Sequence, residues 1–155
     1  MARPSWDEYF MEMAHVAKKR STCLTRQCGV VLVKDNRVIA TGYNGTPKGT
    51  KHCNEGGCAR CANRINGTVE SGKDLSNCAC CHAEENAIVQ AALHGSGTKD
   101  TVLYTTFVPC TLCAKMIINA GIKKVIVNEE YPDDLGKKLL AEAGVELMKF
   151  RPSSS

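Results

Sequence analysis

Tyr9, Phe10, Met13, Val16 and Ala17 recur at helical spacing through 6–20, after a Ser5 that can cap the helix and stands three residues before Glu8. The pattern predicts an amphipathic first helix. At 29–33 the chain turns continuously apolar, Asp35 and Asn36 supply a turn, and 37–42 rises again into β-branched residues, which predicts a two-stranded hairpin. The stretch 43–77 is rich in Gly, Asn, Lys and Cys with little periodicity. It is long for a structureless loop, so something other than an apolar core must order it. Helical spacing returns at 82–93 and ends at Gly95 and Gly97. A strand is expected at 101–106, a helix at 109–120 closed by Gly121, a strand at 123–128, a helix at 136–143 and a strand at 145–150. The order α-β-β-α-β-α-β-α-β is that of a three-layer α/β/α domain on a central five-stranded sheet. Residues 152–155 read as a frayed tail. No repeat or linker divides the chain, so 1–155 is expected to form a single domain with an ordered core at about 6–150 and a Cys-rich insertion at about 50–80.

Composition narrows the function classes. The 155 residues are 43% hydrophobic, and a domain of this size buries roughly 70% of its unfolded surface. The first six residues hold no apolar stretch resembling an export signal, and no later run reaches the ~18 apolar residues of a membrane span. The expectation is a soluble protein without a membrane partner, in the cytoplasm or, for a viral source, the host cytoplasm. Net charge is +4, with Lys and Arg scattered among acids. That gives nucleic-acid binding little support and suits a small anionic substrate. Ten cysteines would suggest disulfides in a secreted chain; in the cytosol they more often bind metal.

The chemistry concentrates in His82-Ala83-Glu84 and, a helix and a strand later, Pro109-Cys110-Thr111-Leu112-Cys113. Cys110 and Cys113 stand three apart at a helix start, so both sulfurs face one way and the positive helix end favours their thiolates. With neutral His82 they make a three-ligand zinc site whose fourth tetrahedral position stays open, the mark of a catalytic zinc. A water there would have its pKa lowered towards ~7. Glu84, close by but not a ligand, is the candidate general acid/base, placed to take a proton from that water and return it to a reacting group. Pro109 has a plain structural role at the first turn of a helix.

With these residues in view, the chain resembles the deoxycytidylate deaminase family of the cytidine deaminase superfamily from about residue 6 to 150. The likeness is carried by Trp6-x-x-Tyr9-Phe10-Met11, Arg20-Ser21-Thr22-Cys23, Gly42-Tyr43-Asn44-Gly45 and Ala120-Gly121-Ile122-Lys123, as well as the zinc signature. The resemblance implies a cytidine-deaminase-like fold with a mixed sheet, and zinc-dependent deamination of dCMP to dUMP with release of ammonia, feeding thymidylate synthesis. It implies a homohexamer activated by dCTP and inhibited by dTTP, with Mg2+ on the triphosphate and effector contacts at Gly42, Tyr43 and Gly45. It also implies that Asn44 binds the sugar, that the ring sits against the backbone of Ala83, and that Phe107 and Tyr131 pack on the base. Asn44 reads equally well as a turn residue before glycine, and Phe107 as core. Arg26, Lys48 and Lys51 are candidate phosphate contacts, or plain surface charges.

Eight further cysteines cluster around the irregular stretch: Cys23, Cys28, Cys53, Cys58, Cys61, Cys78, Cys80 and Cys81. The family pattern of a structural zinc matches Cys23, Cys53 and Cys80. Cys78 is a candidate fourth ligand, with the choice left open. The stretch offers more thiolates than one tetrahedral zinc accepts, which leaves room for a second structural zinc. Cys28, inside an apolar run, reads as a reduced core cysteine. Two rivals remain. One is a deaminase of another substrate: dCTP, free cytidine, a tRNA adenosine or a riboflavin precursor. The other is a zinc-ordered nucleic-acid-binding module, which would leave Glu84 and the open zinc position without a purpose.

Overall fold

The computed structural model describes residues 2–132 and 134–153. The expectations for Met1 and for the end of the tail, Ser154 and Ser155, fall outside them. The sheet is built from β1 (Gly29–Lys34), β2 (Arg37–Tyr43), β3 (Val102–Phe107), β4 (Lys124–Glu129) and β5 (Glu146–Lys149) in the order β2-β1-β3-β4-β5. β1 pairs antiparallel with both β2 and β3, whereas β3, β4 and β5 run parallel. The sheet is therefore mixed, as the family resemblance implied.

Alternation along the strands assigns the two faces. Val31 and Val33 of β1, Tyr104 of β3 and Ile126 of β4 point to one side, where α1 (Trp6–Lys18) lays Phe10, Met11 and Ala14 on them. Val30, Leu32, Leu103, Val125 and Val127 point to the other, under α3 (Ala83–Leu93), α4 (Thr111–Asn119) and α5 (Asp134–Glu142). Burial on both faces is why β1, β3 and β4 read as apolar runs, whereas the edge strands β2 and β5 are partly exposed. Ser5 and Glu8 form the capping box that the first helix promised. Asp35 and Asn36 both adopt positive φ, the geometry of a tight hairpin turn. A bulge lies between Leu32 and Val33.

Three local readings change. The irregular stretch contains a short helix, α2 (Ala59–Ile65), which periodicity missed because its buried positions are Arg60 and Cys61 rather than an apolar stripe. The last helix begins at Asp134, before Gly136, which lies within it. Part of the tail is tied down, since the Ser153 amide donates to Glu8 Oε1 at 2.9 Å.

Two glycines hold the layers close. A Cβ on Gly29 would sit 2.1 Å from the Ala14 carbonyl oxygen of α1, and one on Gly42 would sit 2.2 Å from the Ala83 carbonyl oxygen of α3. Gly42 thus fixes the start of α3, the element that carries the site, and packs against it rather than facing outward.

Candidate active site

Two helix N-termini converge on one point. His82 is the N-cap residue of α3 and Cys110 that of α4, with Cys113 three residues on. The His82 amide donates to Glu85 Oε1 at 3.0 Å, half of a capping box that sets where α3 starts. His82 Nδ1 lies 3.4 Å from Cys110 Sγ and 3.3 Å from Cys113 Sγ. A tetrahedral zinc with its usual bond lengths separates a nitrogen and a sulfur ligand by about 3.5 Å, so the three donors fit that metal in both spacing and chemistry.

Without a metal, the trio shares its protons. The Cys113 thiol holds Cys110 down to about 4, and Cys113 is itself pushed up by that same hydrogen bond. The Cys110 thiolate in turn raises His82 to about 9. Such polarised thiols at positive helix ends readily give up their protons to a divalent cation, which binds them as thiolates.

Glu84 sits on the first turn of α3, only 5% exposed, with burial raising its pKa above the usual carboxylate value. The Thr105 hydroxyl of β3 gives its single proton to the Phe107 carbonyl at 2.7 Å, and its Oγ lies 3.5 Å from Glu84 Oε1, bounding that side of the carboxylate.

His82, Glu84 and Cys110 line a cavity of about 700 Å³, together with Ala83, Val108, Asn44, Arg26 and Phe107. Asn44 braces the 21–28 segment: its Oδ1 accepts from Ser21 Oγ and the Cys28 amide, both at 2.8 Å, and its Nδ2 donates to the Arg26 carbonyl at 2.6 Å. The Arg26 guanidinium lies over the Phe107 ring at 3.9 Å. Tyr131 packs against Phe107 from behind, centroids 6.1 Å apart, and does not line the cavity. Of the three candidate phosphate contacts only Arg26 lines it; Lys48 and Lys51 are exposed elsewhere. Tyr43 lies outside it beneath Arg20, and Gly45 bridges to Cys81.

Cys23, Cys61, Cys78, Cys80 and Cys81 also line the cavity. Cys23, Cys53 and Cys80 do converge, but Cys61 completes their set of four, not Cys78. Cys78 instead joins Cys58, Cys61 and Cys80. Count alone made the thiols interchangeable, and the placement of α2 decides between them. Cys28 stays apart, its thiol pushed up to about 12 by burial, in keeping with a core cysteine. Sequence reasoning missed Arg60, a cavity-lining cation only 7% exposed whose Nε donates to the Lys73 carbonyl at 3.1 Å. Its position inside Cys58-x-x-Cys61 was the available signal.

Fold and donor set together define a class: an α/β domain with a three-ligand His/Cys/Cys site and a buried carboxylate beside it. Residues 4–129 match the model of the cytidine and deoxycytidylate deaminase zinc-binding region, and the chain belongs to that family. It is 50% identical over 151 residues to the deoxycytidylate deaminase of Schizosaccharomyces pombe, covering 97% of this chain and 45% of that one. To the deoxycytidylate deaminase of Mycobacterium phage D29 it is 39% identical over 134 residues, covering 84% of this chain and 99% of the phage protein. The structure of dCMP deaminase from cyanophage S-TIM5, in complex with dCMP and dUMP, superimposes with a TM-score of 0.78 at 31% identity, covering 97% of this chain and 100% of that one. The chain spans about half the length of the yeast relatives it matches. Among the described residues, no helix is long and apolar enough to cross a membrane.

Proposed function

We propose that the chain deaminates dCMP to dUMP hydrolytically, releasing ammonia, and that His82, Cys110 and Cys113 hold the zinc on which this depends. The observation that carries the reading is a buried carboxylate, Glu84, on the first turn of the helix that His82 caps yet outside the donor trio. Likeness to a phage protein seen with dCMP and dUMP supports the substrate.

Bound at the trio, zinc supplies Lewis acidity that makes a water nucleophilic near neutral pH. Glu84 takes the proton of the attacking water and delivers it to the ring nitrogen beside the amine-bearing carbon. It then collects the second proton of that water and passes it to the amine, so that the carbon–nitrogen bond breaks, ammonia leaves and the carbonyl forms. Its raised pKa suits a group that must both accept and return a proton. Thr105 packs beside the carboxylate, its Oγ 3.5 Å from Oε1. The Ala83 backbone supports the ring. Asn44 offers its second amide hydrogen to the sugar while the first stays on Arg26. Arg26, braced from below by Phe107, meets the phosphate. Phe107, with Tyr131 behind it, walls the base.

Regulation belongs to the same reading. dCTP with Mg2+ would activate and dTTP inhibit a hexamer at Tyr43 and Gly45, where the exposed Tyr43 ring faces the Arg20 guanidinium at 5.9 Å. Gly42 would act only as the spacer that sets Ala83. The test of the activity is Glu84→Gln with dCMP as substrate. Zinc content should stay at the level of the parent protein while ammonia release drops by about 10²–10⁴-fold; undiminished turnover would remove Glu84 from the mechanism.

A further inference from the structure

Six thiols, Cys23, Cys53, Cys58, Cys61, Cys78 and Cys80, occupy one cluster, and the two four-sulfur sets within it share Cys61 and Cys80. Cys23 and Cys53 complete one set, Cys58 and Cys78 the other. The separations Cys23–Cys61, Cys58–Cys78 and Cys61–Cys78 are each 3.9 Å, and Cys61–Cys80 is 4.0 Å. Four sulfurs around one zinc at the usual bond length lie about 3.8 Å apart. Disulfide partners would be about 2 Å apart. Both sets therefore have metal spacing, not disulfide spacing.

We infer that the cluster holds two zinc ions in one binuclear unit, with Cys61 and Cys80 as bridging thiolates and Cys23, Cys53, Cys58 and Cys78 as terminal ones. Two separate four-thiolate sites would need eight sulfurs, and six are present. A single zinc would satisfy four and strand two thiols in a buried pocket, either the pair Cys58 and Cys78 or the pair Cys23 and Cys53. Sharing two sulfurs gives each zinc four ligands with none left over, and two dications against six thiolates leave a net charge near −2.

Backbone amides reach one terminal sulfur in each set. The Leu24 amide points at Cys53 Sγ at 3.5 Å and the Ala79 amide at Cys58 Sγ at 3.3 Å, one terminal thiolate in each set. Among the described residues no backbone amide is aimed at Cys61 or Cys80, whose lone pairs go to two metals in a bridge. The segment also has no other core. Buried cysteines are the only members of its hydrophobic cluster, with Cys78 and Cys80 packed against them. That is the position of small domains that fold only around their metal. The unit would clamp the 21–28 segment, α2 and the residues leading into His82 to one another, and so set part of the cavity wall.

The test stands apart from the activity, since it reads metal and not turnover. Native mass spectrometry of the full chain prepared with zinc should show about three zinc ions per chain, one at the trio and two in the cluster. Zinc X-ray absorption should show a zinc–zinc vector shorter than twice the zinc–sulfur bond, about 4.6 Å. Cys58→Ser should lower the cluster's zinc by about one and abolish that vector. Two zinc ions per chain with no zinc–zinc vector, or iron with acid-labile sulfide in their place, would overturn the proposal. If Cys58→Ser fails to fold, the stoichiometry and the vector in the unaltered protein still decide it.

Discussion

Two sulfur-rich centres contribute residues to the same cavity and are built to opposite ends. At the trio, His82, Cys110 and Cys113 sit at the mouths of two helices, offer three donors, and have a buried acid for a neighbour. In the cluster, six thiols offer every position a pair of zinc ions can use, and no acid stands among them. Coordination number, not ligand chemistry, separates them: an unfilled position next to a proton carrier permits a reaction, and a filled shell holds a loop. The two centres are also linked along the chain. Cys80 lies two residues before His82, and Cys23 three before Arg26, so a closed site places residues of the open one.

The comparison breaks most plainly on metal removal. Structural zinc in small thiolate sites contributes apparent binding energies of about 10–16 kcal/mol to folding. Stripping zinc with a strong chelator should leave amides at 50–80 exchanging hydrogen as an unfolded chain does, while β1, β3 and β4, whose apolar core needs no metal, keep their protection. Persistent protection of 50–80 in the metal-free protein would mean that hydrogen bonds and packing hold the segment without zinc.

Cys110→Ser takes the opposite centre. It removes a ligand from a site that contributes chemistry rather than structure, so ammonia release from dCMP should fall by about 10³-fold or more while protection of 50–80 stays unchanged. Equal loss of protection there would show the two centres to be one folding unit.

Much of this contrast was legible in the sequence, for definite reasons. The His82/Cys110/Cys113 trio could be read because its ligands lie at helix starts, where spacing fixes direction. The inner strands β1, β3 and β4 could be read because both their faces are buried and apolar runs mark them. The cluster was only half legible. Cys23, Cys53 and Cys80 could be named from the family pattern, but Cys61 could not be preferred to Cys78, since their order in space depends on a seven-residue helix with almost no apolar signal. Arg26 likewise could not be told from Lys48 and Lys51 until Asn44 and Phe107 were seen to hold it at the cavity.

Arg26 gives the third test. A charge-assisted contact to phosphate is worth about 1.5–3 kcal/mol, so Arg26→Ala should raise KM for dCMP by about ten- to a hundredfold. KM for deoxycytidine, which lacks the phosphate, should stay put. A shift of similar size for both substrates would make Arg26 a brace for Phe107 rather than a phosphate contact.

The smallest effect is expected on the face of the sheet that neither centre reaches, and it serves as their control. The Tyr104 hydroxyl of β3 donates to Asp7 Oδ1 of α1 at 2.6 Å, and burial, then the Asp7 carboxylate, pushes its pKa above the ordinary value of 10. A folded-state pKa above the unfolded one means that the folded protein holds this proton more tightly. The contribution to stability is therefore complete below about pH 10 and declines as the pH climbs towards the folded-state value. Tyr104→Phe should lower stability by about 1 kcal/mol at neutral pH, because Asp7 is partly exposed and water replaces the lost donor. Denaturant titrations at pH 7 and in steps above pH 10 should then converge for the two proteins as the alkaline loss removes what only the tyrosine has. Zinc content and dCMP turnover should not change. A variant that lost zinc or activity would mean that α1 and the sheet transmit strain to the metal face, and the separation of the two faces would fail.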